Sequence, residues 1–85
     1  MDSKEEAIKN FIMEKAIEKC LQFGLPKEDV IPQMSLTGSG LYDSMGFLEL
    51  ITDVENKFDV VVDFSEYEPI TFDTINGFAK CAVSN

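Results

Sequence analysis

The sequence predicts an all-α fold: a small helical bundle with three main helices, one short third helix and a long loop between the first two. Three observations predict it. Two long segments and one shorter C-terminal segment repeat their apolar residues at three- and four-residue steps. Glycine, proline and capping residues punctuate those segments where helices begin and end. The one run with strand propensity, DVVVDF at 59–64, stands alone, and a lone strand has nothing to pair with.

The first helix is announced by SKEE at 3–6, an S-x-x-E capping box in which Ser3 caps the Glu6 amide and Glu6 reaches back. Behind it Ile8, Phe11, Ile12, Ala16, Cys20 and Phe23 form one stripe, with Lys4, Lys15, Glu18 and Lys19 mostly off it, which predicts a helix over about 4–22. Gly24 and Pro26 end it. Residues 24–42 hold two Pro, three Gly, two Ser and a Thr. A connection of that length in a small domain is functional or pinned by its own apolar anchors, here Val30, Ile31, Met34, Leu36 and Leu41. From 44 to 58, Phe47, Leu50, Ile51, Val54 and Phe58 mark a second helix, with Glu49, Thr52, Asp53 and Asn56 on its other side. SEYEP at 65–69 has room for one helical turn, stopped by Pro69. Ile75, Phe78, Ala79, Ala82 and Val83 mark a last helix over about 74–83, capped by Asp73 or Thr74.

The chain is 85 residues long, which predicts a single domain over 1–85. A domain of that size buries only about 60–65% of its unfolded surface, so there is little interior for an enclosed substrate pocket. Composition, at 45% apolar with seven Phe, is that of a chain that folds. The net charge of -9 is unevenly spread: residues 1–27 are neutral, whereas 28–79 hold eleven acids against Lys57. Such a surface repels nucleic-acid phosphates and anionic membranes and attracts basic proteins. Cys20 and Cys81 lack C-x-x-C spacing and are expected as buried thiols of a cytoplasmic protein. No signal-peptide pattern and no membrane-length apolar run is present.

One stretch, LYDSMGFLELI at 41–51, places Asp43 and Ser44 at the start of the second helix. Ser44 is a poor hydrolytic nucleophile, because the chain has no His to act as base and no G-x-S-x-G elbow. It can instead be a substrate for another enzyme, since backbone N–H groups and the positive end of the helix dipole favour a phosphate ester there. The alternative is that Ser44 or Asp43 is only the helix cap, in a non-catalytic helical interaction module. A calcium-binding domain is a weaker reading, because no D-x-[DN]-x-[DN]-G loop occurs.

Asp-Ser-Met at 43–45, preceded by Gly40 and followed by FLELITDVENKF, resembles the Asp-Ser-Leu helix of acyl and peptidyl carrier proteins. The resemblance extends along the chain: long first helix, long loop, acidic second helix, short third element, C-terminal helix. It implies that Ser44 receives 4'-phosphopantetheine from coenzyme A through a phosphopantetheinyl transferase, and that the arm's thiol carries an acyl or aminoacyl thioester. Partners would then be an acyl- or aminoacyl-activating ligase and acyl-processing enzymes of fatty-acid, polyketide, nonribosomal peptide or aminoacyl-transfer pathways. The protein itself would be a monomeric carrier and no enzyme. Met45 replaces the usual Leu and Gly46 follows; DSMG, with SEYEPITFDT at 65–74, looks more like D-alanyl carrier and related stand-alone aminoacyl carrier proteins.

Asp43 would cap the helix and, by the same resemblance, help the transferase recognise the site. Glu49 and Asp53 are either a solvated face or a docking surface for basic partners. Met45 and Leu48, beside the buried stripe, are either core edge or an exposed apolar contact for partners.

Overall fold

In the computed structural model, which describes residues 3–84, the chain forms four α-helices: α1 (Lys4–Phe23), α2 (Ser44–Phe58), α3 (Pro69–Phe72) and α4 (Ile75–Ser84). No sheet is present among the described residues, and the lone β-bridge joins Ser35 to Thr74. α1 packs on α4 and on α2, and α3 packs on α4. The radius of gyration, 12.0 Å, is what a folded chain of this length has, about 12 Å.

The caps account for the helix ends. Ser3 Oγ accepts the Glu6 N–H at 3.1 Å, while the Glu6 carboxylate lies 3.4 Å from Lys9 Nζ, not turned back as a capping box has it. Gly24 closes α1 in the left-handed region at φ 72°, and Leu25 donates to the Cys20 carbonyl at 2.8 Å. That bond and the left-handed glycine form the usual helix stop. α4 starts on Thr74, whose Oγ1 accepts the Gly77 N–H at 2.9 Å, so Thr74 and not Asp73 is the cap.

Ile8, Ile12, Ala16 and Cys20 of α1, Leu50 and Val54 of α2, and Ile75, Phe78, Ala79 and Ala82 of α4 form the core, joined by Val30, Leu36, Leu41 and Tyr42 from the long loop. The loop is therefore pinned by apolar anchors as expected, although Ile31 is half exposed. Phe23 departs from the predicted stripe: it is 55% exposed, at the last position of α1, with Lys19 Nζ 6.0 Å from its ring centroid. α1 and α2 run antiparallel, since Phe11 packs edge-on to Phe58 at 5.6 Å and Lys19 lies over Tyr42 at 4.9 Å. The C-terminal end of α1 and the N-terminal end of α2 thus share one end of the bundle.

One expectation is corrected between α2 and α4. The short helix does not form in SEYEP and stop at Pro69. It begins at Pro69, which occupies the first turn, where a proline's missing N–H costs nothing and its fixed φ already suits a helix. Residues 60–64 form no strand; they run extended across the bundle with Val60, Val62 and Phe64 half-buried and Val61 and Asp63 outward. The strap is fastened to α2 by Glu55, whose carbonyl accepts Val60 N–H at 3.3 Å and whose carboxylate accepts Val62 N–H at 2.9 Å. Glu55 is therefore committed to the fold and is not part of a free acidic face.

Candidate functional site

The site is built on the first turn of α2. Asp43 is the N-cap, in extended conformation, with Oδ1 accepting the Gly46 N–H at 2.7 Å. Phe47 N–H donates to the Asp43 carbonyl at 2.9 Å, completing the first turn. Ser44 is the first helical residue and is exposed. The choice between Asp43 and Ser44 as cap is thus resolved by geometry: the carboxylate caps, and the serine hydroxyl points from the positive end of a fifteen-residue helix with no capping duty.

Gly46 explains how the turn fits against the loop. It is buried, and a Cβ there would stand 3.2 Å from the capping Asp43 oxygen and 3.4 Å from the Tyr42 ring. A larger residue would press on the cap itself. Beneath it Tyr42 is only 4% exposed. Burial, followed by the charges of Asp53, Cys20 and Glu18, pushes its hydroxyl up to about 12.

Ser44 opens onto an apolar groove of about 580 Å³ between α2 and α3, shared with Thr37, Phe47, Leu48, Pro69, Ile70, Phe72 and Asp73. Two of its lining rings belong to an aromatic cluster: Phe72 stacks on Phe64 at 4.4 Å, and Phe47 meets Phe78 edge-on at 5.7 Å. Such contacts hold a groove open better than flexible aliphatics, because aromatic rings pack in defined geometries. Along its wall Leu48 is 57% and Ile70 81% exposed; Met45, 68% exposed, lies outside the groove, in a neighbouring pocket that it shares with Leu48. Met45 and Leu48 are therefore exposed side chains and not buried core edge.

Glu49 and Asp53 do not line the groove, but adjoin it through a pocket shared with Met45, Leu48 and Thr52. They line a cleft between α1 and α2 together with Lys15, Glu18, Lys19 and Gln22, and Lys15 Nζ is 4.0 Å from the Asp53 carboxylate. The acidity of the second helix is therefore partly matched across the cleft by α1. Counting charge along the sequence missed this, because the neutral first segment and the acidic middle one face each other in three dimensions.

The sequence reading also missed the α3 wall. Pro69, Ile70, Phe72 and Asp73 all line the groove beside Ser44, and the signal for them was a proline that starts a helix as readily as it ends one. Among the described residues no group of three or more His, Cys, Asp or Glu side chains could hold a metal ion, and no helix is long and apolar enough to cross a membrane. Cys20 and Cys81 are buried free thiols, and burial pushes the Cys81 thiol up.

No family model matches the chain. Curated relatives do. The D-alanyl carrier protein of Bacillus subtilis (strain 168) is 33% identical over 80 residues, which cover 94% of this chain and 92% of that protein. The D-alanyl carrier proteins of Streptococcus sanguinis (strain SK36) and Streptococcus mutans serotype c are each 43% identical over 51 residues, 58% of this chain and 65% of theirs. Since the likeness to the Bacillus protein runs through nearly the whole of both chains, and the fold is the helical bundle that the resemblance implied, this chain belongs to the carrier-protein family that includes the D-alanyl carrier proteins.

Proposed function

We propose that Ser44 is the attachment point of 4'-phosphopantetheine and that the chain carries an aminoacyl group, of the kind named for its D-alanyl relatives, as a thioester on that arm. The observation that carries this reading is the division of labour at the start of α2: Asp43 caps the helix, leaving the Ser44 hydroxyl exposed at the positive helix end and at the mouth of an apolar groove. The residues fit the group. A phosphate ester on Ser44 lies where the helix dipole favours negative charge, and the adjoining Leu48, Ile70 and Phe72 offer an apolar surface to the arm's alkyl and amide segments.

In loading, Ser44 Oγ forms a bond to the pantetheine-side phosphorus of coenzyme A, the bond to adenosine 3',5'-bisphosphate breaks, and the serine proton leaves to the transferase. When bound, the arm supplies a thiol that holds the cargo as a thioester. Every other duty falls to this chain's residues: Asp43 sets the first turn, Met45, Leu48 and Ile70 present apolar contacts to partners, and Glu49 supplies exposed charge. The partners are a phosphopantetheinyl transferase and an amino-acid-activating ligase, encountered in the cytoplasm by a monomeric carrier with no catalysis of its own.

Incubation with coenzyme A, Mg²⁺ and a broad-specificity phosphopantetheinyl transferase should add the mass of one arm to the intact protein. Ser44→Ala should gain none while keeping its helical circular dichroism. Wild type that gains no mass, or a Ser44→Ala variant that still does, returns Ser44 to the status of an ordinary first-turn residue in an interaction module.

A further inference from the structure

One side chain fastens the end of the long loop to the α3–α4 junction. Both carboxylate oxygens of Asp73 are engaged. Oδ1 accepts the Thr37 N–H at 3.0 Å and the Thr37 hydroxyl at 2.8 Å, and Oδ2 accepts the Ser35 hydroxyl. Ser35 Oγ in turn accepts the Gly38 N–H at 2.9 Å, and the Asp73 carbonyl accepts the Leu36 N–H at 2.6 Å. The tie continues toward the site, because the Leu36 carbonyl accepts the Tyr42 N–H at 3.2 Å and Tyr42 directly precedes the capping Asp43. Thr37 and Asp73 are also walls of the groove onto which Ser44 opens.

We propose that Asp73 is a positioning residue for the modification of Ser44, a proposal that rests on the reading of Ser44 as the loaded serine. Its carboxylate holds residues 35–38 against the α3–α4 junction, and so fixes both the groove wall and the chain that delivers Asp43 and Ser44 to the start of α2. The demand is specific to a carboxylate of this length. Two hydroxyls and one amide donate to it from both sides, so an acceptor is needed on each oxygen. Asparagine keeps one oxygen and turns an NH₂ toward the other donor, and alanine keeps neither. A shift of the acceptor serine relative to the groove costs rate more than it weakens docking, because Met45, Leu48 and Glu49 lie on α2 and only Ile70, among the docking residues, lies on the displaced side.

The test uses apo protein as the substrate of a phosphopantetheinyl transferase, with the time course read by intact mass. Asp73→Ala, Asp73→Asn and wild type are compared with Ile12→Val and Ile12→Ala, core variants in α1 chosen to bracket the change in melting temperature. Asp73→Ala should lower kcat by about 10-fold or more with a much smaller change in KM, Asp73→Asn should fall between it and wild type, and the Ile12 variants should load at the wild-type rate while folded. If Asp73→Ala does not fold, Thr37→Val and Ser35→Ala each remove one hydroxyl donor from the tie, leaving the Thr37 N–H in place, and should each lower kcat alone. Asp73 variants that load like Ile12 variants of equal melting temperature, or that lose rate only through KM, overturn the proposal and leave Ser44 as the loaded residue. Wild type that is not loaded at all overturns the reading of Ser44 and this one with it.

Discussion

At the scale of the residue, Tyr42 holds the most one-sided balance. Its ring sits beneath Gly46 with Lys19 Nζ 4.9 Å from the centroid, yet its hydroxyl is buried without a hydrogen-bond partner among the described residues. The ring is well housed and the oxygen is not. An unpartnered buried hydroxyl costs about 1–3 kcal/mol, so Tyr42→Phe should hold stability at pH 9 or raise it by roughly 1 kcal/mol. The alkaline limb gives the sign independently. The hydroxyl is pushed from 10.0 up to about 12 on folding, so between those values the folded chain keeps a proton that the unfolded chain has lost. The stability tied to that proton is complete below pH 10 and gone above about pH 12, a loss of about 2–3 kcal/mol. Urea midpoints at pH 9 and pH 11.5 should therefore fall further for wild type than for Tyr42→Phe. Parallel falls would place the alkaline loss elsewhere.

At the scale of the element, the junction of α3 and α4 depends on Gly77. A Cβ there would overlap the backbone carbonyl of Thr71 in α3 and crowd the Thr74 hydroxyl that caps α4. Helix propensity alone favours alanine over glycine by about 1 kcal/mol. The overlap is with backbone, which no rotamer relieves, so Gly77→Ala should instead destabilise by about 1–3 kcal/mol. A domain of this size then melts lower by about 4–8 °C per kcal/mol. A melting temperature at or above wild type would show that α3 moves freely off α4. The same junction marks how far the sequence could be read. α1, α2 and α4 were legible because each buries a stripe with helical period, and their caps are local signals. The position of Ser44 at the start of α2 was legible for the same reason. α3 was misplaced because four residues carry no periodicity and a proline marks a start or a stop alike. The clamp on Asp73 was illegible, because its partners Ser35 and Thr37 lie thirty-eight and thirty-six residues away. Asp73 was one of two candidate caps for α4, with Thr74, which takes the role.

At the scale of the whole molecule, the net charge of -9 is less one-sided than its order along the chain suggests, because α1 lays Lys15 and Lys19 along the cleft that holds Glu49 and Asp53. The two acids therefore respond differently to reversal. Glu49→Lys should slow transferase loading at low salt mainly through association, with the difference shrinking as ionic strength rises and exposed charges are screened beyond about 8–10 Å. Asp53→Lys puts a cation beside Lys15, so it should also lower stability by a few tenths of a kcal/mol, about the size of one exposed ion pair. Stopped-flow loading and thermal melts on the two single variants separate these effects. Equal low-salt rates for Glu49→Lys and wild type would assign recognition to Met45, Leu48 and Ile70 alone.

The strap of residues 60–64 has a consequence for the unfolded chain. A valine-rich segment of alternating exposure that finds no partner strand in its own fold keeps the ability to find one in another copy, and such segments seed cross-β assembly once the fold releases them. Native Glu55 withholds it by occupying the Val60 and Val62 amides, a protection that ends with unfolding. After that the segment's solubility rests on Asp59 and Asp63, charges that bracket Val60, Val61 and Val62 as gatekeepers and hold like strands apart.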